Sequence, residues 1–252
     1  MKTLVLGQGF VGQKLSEYLQ ADVSTKRLHL ITESDLDPYD VVINTVAKTK
    51  IDWCEKNRFE TFDTNTVQAV RLAQITKGKY VFFSSACIFK TETEEVNYEN
   101  AIPNPQCFYT YTKLMAEQLL EEIRPDTLII RPRLLISEES HPRNTIDKLL
   151  SYDNVITSQE SATILEDLLP KIKELIDNDA TGAYHTVNEG TISPSEIMDI
   201  FKHPHKKISK KELDELTSGL ARRVSTIVGS SKTGYLPPIR DRITQIAKTF
   251  QK

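Results

Sequence analysis

The 252-residue chain has three cysteines, one tryptophan, nine glycines and no long apolar run, and its charges nearly balance. Cys54, Cys87 and Cys107 make neither an even set nor a Cys-x-x-Cys spacing, which argues against a disulfide scaffold and a zinc site. Reduced thiols in a cytoplasmic compartment, and no metal, are expected instead. The longest apolar stretches, such as Leu128 to Ile136, are strand-sized and broken by Arg131 and Arg133, which excludes a membrane-spanning helix. A formal net charge of -3 supplies no basic field for nucleic acid or an anionic membrane. Behind Met1 and Lys2 the chain enters an apolar strand and a glycine turn, with no signal-peptide cleavage pattern.

What is present is a 39% hydrophobic chain long enough for one large domain with a smaller lobe. Apolar runs of strand length alternate with segments of helical period, the pattern of strand-helix-strand units and a parallel sheet. Strands are expected at Thr3–Leu6, Val41–Thr45, Tyr80–Ser84 and Thr127–Arg131, with weaker ones at Ala21–Ser24, Val155–Thr157 and Ala183–Val187. Helices are expected at Val11–Leu19, Glu60–Ile75, Tyr109–Glu122 and Ala162–Ile176. In the last of these, Leu165, Leu168, Leu169, Ile172, Leu175 and Ile176 recur at threes and fours and read as core. From about Ser137 prolines punctuate shorter segments, and a smaller, irregular lobe is implied. The basic run His203–Lys211 sits among Glu212, Asp214 and Glu215 and reads as solvated surface.

Three motifs carry chemistry. In "LVLGQGFVGQKL" Gly7, Gly9 and Gly12 stand in Gly-x-Gly-x-x-Gly spacing between a strand and a helix, where phosphates meet a helix N-terminus. This is the fingerprint of a Rossmann-type, doubly wound α/β sheet. An acidic ribose ligand is expected at the end of the second strand; Asp22 could serve, yet it stands at that strand's start, and the end offers Ser24, Thr25, Lys26 and Arg27. Hydroxyls and a guanidinium suit a 2'-phosphate, so NADP(H) is preferred and NAD(H) remains an alternative. Tyr109 and Lys113 have Tyr-x-x-x-Lys spacing, which puts an ammonium and a phenol on one helix face and predicts a phenol of lowered pKa as proton donor to a carbonyl; Tyr111 is a rival phenol without that lysine. Finally, "YVFFSSACIF" ends a strand in Ser84, Ser85 and Cys87, at the sheet end where ligands bind. Ser85 is expected on the substrate carbonyl; Cys87 has either that setting or the role of a small buried hydrophobe.

Glycine turn, strand-end serine and Tyr-x-x-x-Lys together resemble the extended short-chain dehydrogenase/reductases. "DPYDVVINTVAKTKIDWCEKNRFETFDTNTVQAVRLA" narrows the likeness to the dTDP-4-dehydrorhamnose reductase-like branch, and "IDWCE", "ACIF", "FYTYTK" and "PRNTIDK" to nucleotide-rhamnose synthase/epimerase-reductases. The resemblance implies NADP(H)-dependent 3,5-epimerisation and 4-reduction of a nucleotide-diphosphate 4-keto-6-deoxyhexose. Carried over by position, it implies a reductive triad of Ser85, Tyr109 and Lys113, with Cys87 and Lys148 as epimerisation acid and base. It gives Gly7, Gly9, Phe10, Val11, Gly12, Ser24, Arg27, Thr45, Ala47, Tyr109, Lys113 and Pro132 to the cofactor. Ser85, Cys87, Phe89, Asn144, Lys148 and Arg223 go to the substrate, with Arg222 competing for the diphosphate. His185 reads as a satisfied strand histidine. Simple reductases of the branch read Ser-Thr-Asp-Tyr-Val-Phe at the strand end; Ala86 and Cys87 replace the aspartate and tyrosine, which favours the bifunctional activity.

The expected division is an NADP-binding domain of residues 1–136 plus about 155–188, and a substrate-binding lobe of about 137–154 plus 189–252. A homodimer is compatible with this organisation. Two other functions fit the same motifs: a reductase acting alone, and a non-catalytic dinucleotide-binding regulatory subunit.

Overall fold

A computed structural model of the chain describes residues 1–91 and 95–250. In chain order its elements are β1 Thr3–Leu6, α1 Phe10–Leu19, β2 Asp22–Ser24, α2 Glu33–Leu36, β3 Val41–Asn44, α3 Ile51–Lys56, α4 Arg58–Phe62, α5 Gln68–Ile75, β4 Lys79–Phe83, α6 Phe108–Ile123, β5 Leu128–Arg131, β6 Leu135–Ile136, α7 Thr145–Leu149, β7 Asn154–Ile156, β8 Thr163–Ile164, α8 Leu165–Asp177, β9 Gly182–His185, α9 Pro194–Ile200, β10 Lys206–Ile208, α10 Lys210–Leu216 and α11 Ile239–Thr249.

Short β-branched runs become strands buried on both faces, as a parallel sheet requires: every residue of β1, β3 and β5 is buried. The sheet is six-stranded in the order β2-β1-β3-β4-β5-β9, with each pairing parallel. One face packs on Phe10 and Leu15 of α1 and on the α8 stripe Leu168, Leu169, Ile172, Leu175 and Ile176; the other packs on Leu72 of α5 and Ala116 and Leu120 of α6. The chain passes from β1 out to β2 and returns across β1 to β3, so strand order reverses between β1 and β3. Ligand crevices in such sheets open at that reversal, at the carboxyl ends of the strands.

The helix expected over Glu60–Ile75 is interrupted by a π-turn at Asp63–Val67. The wide turn aims Asn65 at the chain leaving β3: its Oδ1 accepts from Lys48 N at 2.8 Å, and its Nδ2 donates to Lys48 O and to Thr112 Oγ1, each at 3.1 Å. The helix expected from Ala162 starts at Leu165, because Thr163 and Ile164 pair with β6.

The strand expected from Val155 does not join the main sheet. β9 takes the place beside β5, and β7 pairs instead with β10 in a separate two-stranded sheet. Val155 is buried with Ile146 and Leu149 of α7, Ile197 and Met198 of α9, and Ile243 of α11. Residues near 155, which the sequence assigns to the dinucleotide-binding half, therefore pack in a hydrophobic cluster separate from the two that cover the six-stranded sheet. No helix of the described residues is long and apolar enough to cross a membrane.

Candidate active site

Gly7 has φ +114°, and a Cβ there would lie 2.7 Å from Thr45 Oγ1; a Cβ at Gly12 would lie 2.0 Å from the Gly7 carbonyl oxygen. Only glycines allow the turn to close against both β3 and α1. Thr45 fixes the same corner by donating from Oγ1 to Leu6 O at 2.9 Å. No side chain caps α1, so its first-turn N–H groups are left facing the crevice beside the β1/β3 reversal. That geometry fits a dinucleotide pyrophosphate. A segment of the lobe lies across the turn. His141 stacks on Phe10 with centroids 4.3 Å apart, Glu139 pairs with Lys14, and Arg143 Nη1 would be 2.9 Å from a Cβ at Gly9. Phe10 is thereby committed to His141, and Val11 packs in part against the core beneath α8, so both offer a cofactor backbone only.

At the end of β2, Ser24 Oγ accepts from Lys26 N at 3.3 Å and Lys26 pairs with Asp35 at 2.5 Å. Arg27 is exposed and, among the described residues, its guanidinium makes no hydrogen bond or ion pair; only its carbonyl is engaged, by Leu30 N at 2.9 Å. Asp22 lies at the opposite end of the strand, where its carboxylate accepts from the Tyr39 hydroxyl at 2.9 Å.

β4 ends at Phe83 and breaks into Ser84, Ser85 and a single 3-10 turn, Ala86–Ile88. Ser85 caps that turn, its Oγ accepting from Cys87 N at 3.2 Å, and Ala86 N donates to Pro132 O at 3.0 Å. α6 brings Tyr109 and Lys113 beneath the same strand end. Tyr109 is buried on the cavity wall, while Tyr111 is 51% exposed and does not line the cavity. Lys113 is 1% exposed; its Nζ donates to Phe83 O at 2.7 Å and lies 4.5 Å from the Phe82 ring centroid. Burial pulls the Lys113 ammonium down to about 7, with Glu117 acting the other way. The phenol of Tyr109 is pushed up, by burial first and by Cys87 beside it, and Ser85 only partly offsets this. The lowering by Lys113 that the spacing predicts is absent, because the ammonium is directed at Phe83 O and burial dominates.

A cavity of about 710 Å³ opens beside Cys87, Tyr109 and Arg133, with Leu149, Tyr152, Leu213, Arg222 and Arg223 on its lobe side. A family profile described as the RmlD substrate binding domain matches residues 1–218. The chain belongs to this RmlD family. Over 167 residues it is 32% identical to a bifunctional dTDP-4-dehydrorhamnose 3,5-epimerase/dTDP-4-dehydrorhamnose reductase of Arabidopsis thaliana, covering 62% of this chain and 55% of that one. It is 28% identical over 214 residues to a trifunctional UDP-glucose 4,6-dehydratase/UDP-4-keto-6-deoxy-D-glucose 3,5-epimerase/UDP-4-keto-L-rhamnose-reductase of the same plant, covering 79% and 30%. The chain thus spans about half, or less, of the length of these curated relatives. Among solved structures, the L780 UDP-rhamnose synthase of Acanthamoeba polyphaga mimivirus superposes with a TM-score of 0.88 at 23% identity over 99% of both chains. A dTDP-4-dehydrorhamnose reductase of Bacillus anthracis str. Ames, in complex with NADP, gives 0.82 at 21% over 98% of this chain and 99% of that one. At these identities the likeness is one of fold.

Against the RmlD-family expectations, two substrate assignments change. Asn144 is fully buried and caps α7: Oδ1 accepts from Ser137 N at 3.1 Å and Ile146 N at 3.3 Å, and Nδ2 donates to Ser137 O at 2.9 Å and Glu139 O at 2.8 Å. Its amide has nothing left for a sugar. Phe89 is also fully buried, edge-on to His185 at 5.2 Å, and does not reach the cavity. His185 is satisfied as expected: Nδ1 donates to Gly229 O at 2.9 Å, and burial, with Arg131 adding to it, takes the ring down to about 4.

Lys148 is exposed and is not among the residues that line the cavity beside Cys87. Partial desolvation, then Arg143 and Lys50, pull its ammonium below the usual lysine range. Arg223 lines the cavity but shares its guanidinium with Asp52 at 2.7 Å, and its neighbour Arg222 donates to Gln106 at 3.0 Å. The sequence reading missed Asn65, Arg143 and the buried pair Arg133–Glu160. The signal for the last was a charge inside the apolar run Leu128 to Ile136.

Proposed function

We propose that this chain is an NADPH-dependent nucleotide-sugar 4-reductase that also epimerises C3 and C5 of its 4-keto-6-deoxyhexose substrate. The observation that carries the reading is the convergence of Ser85, Cys87 and Tyr109 at the end of β4, with Cys87 and Tyr109 on the wall of one cavity. The names of the Arabidopsis and mimivirus relatives support the substrate class, a nucleoside diphosphate 4-keto-6-deoxyhexose.

Gly7, Gly9 and Gly12, the first turn of α1, Thr45 and Ala47 would hold the dinucleotide, and Arg27 its 2'-phosphate. Bound NADPH supplies the hydride for C4. Tyr109, kept protonated by burial, gives its proton to the C4 oxygen, and the Ser85 hydroxyl donates a second hydrogen bond there. Lys113 anchors α6 to β4 and so fixes the distance between phenol and serine.

The ketone acidifies the protons on C3 and C5. In the epimerase steps Cys87 moves a proton on one face of the ring and Lys148 on the other, through an enolate whose oxygen rests on Ser85 and Tyr109. Lys148 is not among the residues that line the cavity, which favours a second reading, a reductase acting alone. Three unpaired thiols fit a cytoplasmic setting.

The test is incubation of the protein with UDP- and dTDP-4-keto-6-deoxyglucose and NADPH in deuterated water. Cofactor oxidation together with deuterium at C3 and C5 supports the full reading. Oxidation without exchange leaves the reductase, and no oxidation with either sugar removes both.

A further inference from the structure

The Cys87 sulfur has a guanidinium as its neighbour. Arg133, two residues beyond β5, donates from Nη1 to Cys87 Sγ at 3.4 Å. From Nη2 it donates to the Glu160 carboxylate and to Val224 O, the latter at 3.0 Å. Arg133 is 9% exposed and Glu160 3%, and Glu160 is itself fixed by Thr226 N at 3.2 Å. A guanidinium presents its donors in one rigid plane, so fixing Nη2 fixes the direction of Nη1. An arginine kept only to neutralise a buried carboxylate would close a two-pronged pair with it. Here Glu160 takes Nη2 alone, Nε is buried without a partner, and Nη1 is turned to the sulfur on the cavity wall.

We infer that Arg133, aimed by Glu160, is the positioning residue of Cys87, orienting its sulfur toward the cavity and stabilising negative charge on it. The inference rests on the proton-transfer role proposed for that thiol. When the thiolate takes a proton from C3 or C5, the C–H electron pair moves into the enolate and the sulfur becomes a thiol; delivery of a proton reverses this. In both directions the charge on sulfur changes by one, and a fixed N–H donor at the sulfur favours the anionic form. The other groups around the sulfur do not supply that charge. Tyr109 and Cys107, from α6 and its N-terminus, are not cations; Arg223 is paired with Asp52, and Arg222 is held by Gln106. Glu160 competes with the sulfur for one guanidinium, so the two residues act on Cys87 with opposite sign.

The experiment is alkylation of the full chain by iodoacetamide, which forms the thioether and releases iodide, followed by mass spectrometry at Cys87 between pH 6 and 9.5. Buried Cys54 and Cys107 are internal references. Glu160→Gln should raise the rate at pH 7 about threefold, because the whole guanidinium charge falls to the sulfur. Arg133→Met/Glu160→Gln removes both charges without stranding either, and should lower the rate at pH 7 about tenfold. Arg133→Lys should fall between this double variant and wild type. Profiles that stay within about twofold of wild type, or that move in the same direction for Glu160→Gln and the double variant, would overturn the inference. Deuterium exchange separates its failure from that of the epimerase reading. Unmoved alkylation with Cys87-dependent exchange removes only the role of Arg133, whereas exchange surviving Cys87→Ser removes the epimerase and the purpose of the pair with it.

Discussion

Lys113 Nζ and the carbonyl oxygen of Phe83 are 2.7 Å apart, in a region where Lys113 is 1% exposed. One buried ammonium therefore ties the last residue of β4 to the helix that carries Tyr109. The tie has a cost that depends on pH. Burial holds the ammonium at about 7 in the folded chain against 10.5 for the free side chain. Between those values the unfolded chain binds more protons, so the penalty is fully present below about 7 and fades as pH rises toward 10.5. Stability contributed by this site should climb by about 1 kcal/mol per pH unit between pH 7.5 and 9. Lys113→Met should lose that slope. Urea denaturation of both proteins at pH 6.5, 7.5 and 9 checks this, and parallel curves would refute it.

Tyr109→Phe should abolish NADPH oxidation by the 4-keto sugar, with a loss of at least about a hundredfold in kcat, while cofactor affinity changes little. The ring keeps its buried packing and only the donated proton is removed. Stopped-flow absorbance and fluorescence titration measure the two quantities; wild-type turnover would reassign the proton donor.

Arg27→Ala should weaken NADPH binding by about tenfold or more and leave NADH within about twofold, since the exposed guanidinium has a partner only where a 2'-phosphate is present. Equal losses for both cofactors would move the discrimination elsewhere.

Cys87→Ser replaces the thiol by a hydroxyl that does not ionise near neutrality. Solvent deuterium should no longer enter C3 or C5, whereas a substrate already of rhamno configuration should be reduced within about tenfold of the wild-type rate. Retained exchange would leave a reductase acting alone as the better account.

Asn144→Ala should destabilise the chain by about 2–4 kcal/mol, through loss of a helix cap and exposure of buried backbone groups to no partner. Thermal and chemical unfolding measure it. If Asn144 instead served the substrate, KM would rise with stability unchanged.

The doubly wound sheet was legible because its signals are local. Apolar runs of strand length, a helical stripe such as that of α8, and a glycine triplet between strand and helix each depend on neighbours a few residues apart. The triad spacing was legible for the same reason, since residues four apart share a helix face whatever lies around it. What those signals leave open is the environment of each side chain. Arg133 meets Cys87 across 46 residues, and Arg223 meets Asp52 across 171. The resemblance carried by "PRNTIDK" made Asn144 look like a ligand, and only the return of Ser137 and Glu139 over its amide exhausted its hydrogen bonds. Spacing alone aims Lys113 at the phenol; the carbonyl of Phe83, waiting at the end of β4, takes it instead. Periodicity along the chain is a short-range property and set the layers of the fold, whereas burial and pairing are made by segments distant in sequence, and these decided which residues remain free to act.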